Sequence, residues 1–142
     1  MKYPAIFEPA EEGGFVITFP DVYEAITQGD DEAEGYEMAQ DALITMFAHF
    51  IREGKPIHPP SNPKGRKIRM IELPALVAIK TELYIAFQSS GLRKTELARR
   101  IGIPKTNVDR LFDLRHHTRL DQLEAAFRAL GKHISVEVRE AA

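Results

Sequence analysis

Four polar residues, Lys105, Thr106, Asn107 and Arg110, fall within six positions of one another and could together read a base edge. Asn can pair adenine and Arg can pair guanine in bidentate fashion. Cations flank them on both sides. Lys94, Arg99, Arg100, Arg115, His116 and Arg119 are candidates for phosphate contacts, which set register rather than sequence. A second group of residues could do other chemistry. Asp21, Asp30, Asp31 and Asp41 are the acids a two-metal phosphodiesterase would need, converging on ions a few ångströms apart. Each has a simpler local reading. Asp30 and Asp31 suit a turn and a helix cap, Asp21 follows the strand-breaking Pro20, and Asp41 belongs to the polar side of an amphipathic helix. Among the histidines, His49 neighbours an apolar stripe and His58 lies in a Pro-rich segment. His116 and His117 could pair with His133 on a metal, but a basic loop beside a reading helix is the simpler account. The chain has no Cys, hence no disulfide, thiolate metal site or Cys nucleophile. No catalytic residue, metal site or cofactor is expected.

The element that must position the reading residues is the stretch Leu92 to Asp113. Leu97, Ala98 and Ile101 recur at helical spacing and mark one face of a first helix. Gly102 can end it in a left-handed backbone conformation. Pro104 can open the next helix, where its missing N–H has no partner to lose. Val108, Leu111 and Phe112 form the buried stripe of that second helix, leaving the polar set outward. This is the layout of a helix-turn-helix whose second helix enters the major groove.

The remaining chain supplies a core and an asymmetry of charge. At 142 residues with 44% hydrophobic content, it holds one domain or two small ones. Residues 1–72 carry a net −6 and residues 73–142 a net +4, so two different partners are expected. No signal peptide or membrane span is legible, and a cytoplasmic location is expected. Tyr3 to Phe7 and Phe15 to Phe19 alternate around a Gly13-Gly14 turn and predict a β-hairpin. Val22 to Thr27 predicts a third strand. Asp31 can cap a helix, with Glu34 in capping-box position. Tyr36, Ala39, Leu43, Met46, Phe47, Phe50 and Ile51 form that helix's apolar stripe. Gly35 inside it costs about 1 kcal/mol relative to Ala with no visible local reason. Residues 55–67 contain four prolines and form an extended surface segment. Ile68 to Leu73 predicts a strand that either returns to the N-terminal sheet as an edge strand, the favoured reading, or belongs with the C-terminal half. Helices follow from Pro74 to Ser90, with the stripe Leu76, Ile79, Leu83 and Phe87, and from Leu120 to Leu130, with Leu120, Leu123, Phe127 and Leu130 facing inward. Ile134, Val136 and Val138 then alternate in a last short strand, Ile134 to Arg139, which is a candidate for pairing two subunits because its edge would otherwise be open.

Several of these pieces carry a resemblance. The run TELARRIGI, the run RLFDLRHHTRLDQLEAAFRALGK and the strand after it resemble the DNA-binding region of HicB-type antitoxins with a phage-repressor-like helix-turn-helix. The Tyr3-Pro4-Ala5-Ile6 opening, Gly13-Gly14, Phe19-Pro20-Asp21, Thr27-Gln28-Gly29-Asp30, Ile57 and Pro59-Pro60-Ser61 resemble the small HicB-like domain. The resemblance spans nearly the whole chain. It implies an α+β protein: a ββ β α β N-terminal domain, partial ribonuclease-H-like, at 1–73, then an all-helical DNA-binding and dimerisation domain with a short C-terminal strand at 74–142. It also implies an antitoxin that covers the active face of a small HicA-type mRNA-cleaving toxin. Its helix-turn-helix would bind an inverted-repeat operator as a homodimer or higher oligomer and repress its own operon. One departure bears on readout: Lys94 stands where many such units have Gln, so a phosphate can be held but without two-sided amide bonding. An RNA-cleaving partner must be basic, and residues 1–54 hold only Lys2 and Arg52 against 12 acids. Asp21, Glu24, Asp30 and Asp31 are therefore the candidate toxin contacts. A free-standing transcriptional repressor with a ligand- or protein-sensing N-terminal half remains the alternative.

Overall fold

Alternation from Lys2 to Pro9 makes a strand with one apolar face, and the sheet is built outward from it. In the computed structural model, which describes residues 1–141, β1 (Lys2–Pro9) turns Tyr3, Ala5 and Phe7 into the core. It pairs antiparallel with β2 (Phe15–Thr18), Phe7 opposite Ile17. β3 (Ile26–Gly29) pairs antiparallel with the outer side of β2. β4 (Ile68–Glu72) returns after the Pro-rich segment to pair antiparallel with β1, Tyr3 opposite Ile71, as Ile68 to Leu73 predicts. The sheet order is β3-β2-β1-β4.

β3 lies further along the chain than Val22 to Thr27 predicts. Val22 and Ala25 are apolar because they are buried in a turn, not because they alternate in a strand. The Val22 N–H donates to the Phe19 carbonyl at 3.2 Å and the Ala25 N–H to the Val22 carbonyl at 3.0 Å.

α1 (Glu32–Glu53) covers the inner face of the sheet with Ala39, Leu43, Phe47 and Phe50. Its start is the capping pair read from the sequence. The Glu34 N–H donates to the Asp31 carboxylate at 2.8 Å, and the Asp30 N–H donates to the Glu34 carboxylate at 2.9 Å. The structure supplies the reason for Gly35. A Cβ on Gly29 would lie 2.5 Å from the Gly35 Cα, and a Cβ on Gly35 would lie 2.8 Å from the Phe7 ring. Two glycines let β3 and the first turns of α1 touch backbone to backbone. The Pro-rich segment is tied down by the Tyr3 hydroxyl, which donates to the His58 carbonyl at 2.8 Å.

The second half of the chain is helical: α2 (Ala75–Ser90), α3 (Lys94–Ile101), α4 (Lys105–Phe112) and α5 (Leu120–Ala129). The α2 stripe is rotated from the expected one. Leu83 and Phe87 are buried, but Leu76 and Ile79 are half-buried, and Val77, Lys80, Thr81 and Tyr84 fill the core instead. α2 is wrapped on more than one side. It packs on α4, α5 and α1, and its Tyr84 hydroxyl donates to the Lys55 carbonyl at 2.7 Å. Leu120 is exposed rather than inward, because it begins α5 beside the basic loop. The expected strand Ile134 to Arg139 is not formed. A strand requires a hydrogen-bonded neighbour, and residues 133–141 have none in the single chain. Val136 and Val138 are exposed there while Ile134 packs on the core. Among the described residues no helix is long and apolar enough to cross a membrane.

Candidate functional site

The geometry of the α3–α4 pair follows from its apolar positions. Leu97 and Ala98 of α3 and Val108, Leu111 and Phe112 of α4 are buried. Gly102, at φ +86°, ends α3 with its N–H on the Ala98 carbonyl at 2.8 Å. Pro104 caps α4 rather than occupying its first helical position. Lys105, Thr106 and Arg110 are exposed on α4, and Asn107 is half-buried. Asn107, Arg110, His116 and Thr118 line one groove with Ile103 of the turn and Gln122 of α5. Two predicted DNA contacts of α4, Asn107 and Arg110, thus share one groove with a third, His116 of the basic loop.

The other predicted cations sit apart from that groove, and several are paired. Lys94 donates to Asp109 at 2.7 Å, beside a cleft that faces α1. Arg119 is held by Asp121 at 2.7 Å. Arg99 and Arg100 lie 3.9 Å and 3.8 Å from Glu96. The Arg115 guanidinium reaches the Thr45 hydroxyl of α1 at 3.5 Å. Exposed pairs of this kind are worth about 0–1 kcal/mol, little enough for a phosphate to displace the carboxylate.

One residue under α4 escaped the sequence reading. Lys80 of α2 is fully buried, and its ammonium donates to the carbonyls of Arg110 at 2.8 Å, Asp113 at 2.7 Å and His116 at 2.7 Å. It ties the last turn of α4 to the loop that carries Arg115 and His116, and its charge opposes the negative end of the helix dipole. Burial pushes its pKa down to about 8, against the attraction of Asp113. The signal was a Lys spaced three residues after Val77 and four before Tyr84, on what is otherwise an apolar face.

The four predicted toxin contacts divide in two. Asp21 accepts the Ser61 N–H at 2.8 Å and the Ser61 hydroxyl at 2.8 Å, clamping the Pro-rich segment. Asp31 caps α1. The carboxylates of Glu24 and Asp30 are exposed, with no partner among the described residues. Glu24 and Asp41 line a groove between β3 and α1 together with Ile26 and Met38. Asp21 lies in a different hollow, with Tyr23, Phe47 and His58. Among the described residues no three His, Asp or Glu side chains are grouped so as to hold a metal ion.

Residues 2–82 match the family described as the HicB-like antitoxin of bacterial toxin–antitoxin systems. The chain belongs to that family. The match covers the whole sheet, α1 and half of α2, stopping just after Lys80. Full-length relatives extend the likeness over the helical half. Antitoxin HicB of Escherichia coli strain K12 is 44% identical over 96% of this chain and 98% of its own length. Antitoxin HicB 1 of Photorhabdus laumondii is 41% identical over 97% of this chain and 87% of its own. Antitoxin HicB of Pseudomonas fluorescens is 31% identical over 99% of this chain and its entire length. α3, α4 and the basic loop are therefore inside the span that HicB-type antitoxins share with this chain.

Proposed function

We propose that the chain neutralises a small HicA-type mRNA-cleaving toxin through residues 1–73 and represses its own operon through residues 74–142. The observation that carries this reading is the combination found in one chain: a HicB-like antitoxin match over the acidic sheet half and, beyond it, an α4 that exposes Lys105, Thr106 and Arg110. In the DNA role, α4 enters the major groove and Lys105, Thr106, Asn107 and Arg110 meet base edges. Lys94, Arg115, His116 and Arg119 hold phosphates on either side. Reading an inverted repeat needs two copies with their α4 helices about 34–36 Å apart. The unpaired segment from Ile134 to Arg139, with Val136 and Val138 exposed, supports strand pairing between those copies. In the toxin role, the acidic half screens a surface that must be basic in order to hold RNA.

The deciding experiment is co-purification of the tagged chain, expressed together with the reading frame beside its gene. A small basic protein should elute with it and cleave RNA once stripped of it, and the complex or the free chain should bind DNA upstream of the gene. If nothing elutes with the chain while upstream DNA is still bound, the toxin half of the proposal fails and a free-standing repressor replaces it.

A further inference from the structure

The sheet has two edges, and only one is protected. β4 carries Arg69, which is ion-paired with Glu32, and Glu72, which lies 4.0 Å from Lys2 and 3.8 Å from Arg139. Just before β4, Lys67 is bound to Glu8 at 2.8 Å. Charged side chains are the usual guard of an edge strand. β3 at the opposite edge reads Ile26-Thr27-Gln28-Gly29, with no charge and no Pro, and nothing pairs with its outer side among the described residues. Apolar side chains cluster beside it. Tyr23 is 86% exposed, Ile26 66% and Met38 39%. Ile26 and Met38 line the groove against α1, together with Met46, and Glu24 and Asp41 form its acidic rim. Single exposed apolar residues need no explanation, but three around an unguarded strand edge do.

We infer that an extended segment of the basic toxin adds to the free edge of β3 as a fifth strand, its apolar side chains seated in the Ile26–Met38 groove and its cations facing Glu24 and Asp41. The inference rests on the antitoxin reading above and specifies where that antitoxin holds its partner. Backbone pairing supplies affinity and alternate side-chain pockets supply specificity, as in other strand additions. Charge selects the occupant. An RNA-cleaving protein must present Lys and Arg to phosphate, and those cations fit the acidic rim. A second copy of this chain would bring Glu24 and Asp41 against their own kind, which disfavours β3 pairing with β3. The anchor is then apolar, and of the four predicted acids only Glu24 lines it, Asp21 and Asp31 being already engaged within the fold.

The test uses the full chain and the toxin encoded beside it, the toxin carrying a substitution that inactivates it. Calorimetric affinity is measured for the unmodified chain, Ile26→Lys, Met38→Ala and Arg66→Ala, after thermal melts show that all four are folded. Ile26→Lys should weaken binding at least tenfold and Met38→Ala several-fold, with Arg66→Ala, beside the guarded edge, within twofold. In hydrogen exchange, amides of residues 26–29 should gain protection in the complex. Affinities of Ile26→Lys and Met38→Ala both within twofold of the unmodified chain would overturn the inference. So would an Ile26→Lys variant that loses an oligomeric state but keeps its toxin affinity, since that assigns the edge to a second copy. An unmodified chain that fails to bind the toxin at all overturns the antitoxin reading itself, a result distinct from either.

Discussion

Lys80 shows how much one residue can carry when it breaks the pattern around it. Its ammonium titrates near 10.5 when unperturbed and at about 8 in the fold. Between those values the unfolded chain binds more protons than the folded one, so stability rises with pH across that window. The gain from pH 8 to pH 10 is on the order of 2 kcal/mol. Above pH 10 the sign reverses. Burial raises the hydroxyl pKa values of Tyr3 and Tyr84, so the unfolded chain loses those protons first and stability falls. Urea denaturation over pH 7 to 11 should therefore pass through a maximum at about pH 10. In Lys80→Met the rise between pH 8 and 10 should disappear. That variant also leaves the carbonyls of Arg110, Asp113 and His116 without their donor, at a cost of about 1–3 kcal/mol less what is regained by not burying a charge. A rise that survives in the Met variant would assign it to another group.

At the scale of the element, the close approach of β3 to α1 sets an order of substitution costs. A Cβ on Gly29 meets the backbone of Gly35, which cannot move without displacing the helix. A Cβ on Gly35 meets the Phe7 ring and the Ile17 side chain, which can shift, and Ala restores about 1 kcal/mol of helix propensity there. Gly29→Ala should therefore destabilise by about 1–3 kcal/mol, lowering the melting temperature by several degrees, and Gly35→Ala by clearly less. The reverse order in calorimetric melts would contradict the contact. The same contact shows where sequence reading stops. Periodicity within one element exposed the β1–β2 hairpin, the α1 stripe and its capping pair, and the turn at Gly102. Gly35, the true span of β3, the rotation of α2 and the exposure of Leu120 depend on what lies across from each element, and nothing local encodes that. Residue type and helical spacing were enough to place Lys105, Thr106 and Arg110 on the exposed side of α4. They did not disclose that Asp21 is used internally by Ser61, or that Tyr23 stands free.

Over the whole molecule, the charge asymmetry separates two surfaces that should fail independently. Arg110 is exposed on α4, and only its backbone carbonyl is engaged by Lys80, so Arg110→Ala keeps that bond. The variant should bind operator DNA about tenfold to a hundredfold more weakly, with toxin affinity unchanged. Ile26→Lys should do the opposite. The C-terminal segment tests a different part of the proposal, the pairing of two copies. Residues 132–141 form no strand, Val138 is 90% exposed, and Arg139 approaches Glu72 at 3.8 Å, through an ion pair too exposed to anchor the segment. An alternating apolar segment of this kind gains most by pairing with its own copy. Truncation before Ile134 should convert the chain to a monomer in sedimentation equilibrium, while the buried set from Leu97 to Phe127 keeps α3, α4 and α5 folded. Each α4 could then still meet a half-site, but the effective concentration that joins two half-sites would be gone. Operator affinity should therefore drop by more than Arg110→Ala alone produces, and half-site affinity should stay as it was. A truncated chain that remains dimeric would move the subunit contact elsewhere, and one that keeps full operator affinity as a monomer would remove the need for an inverted repeat.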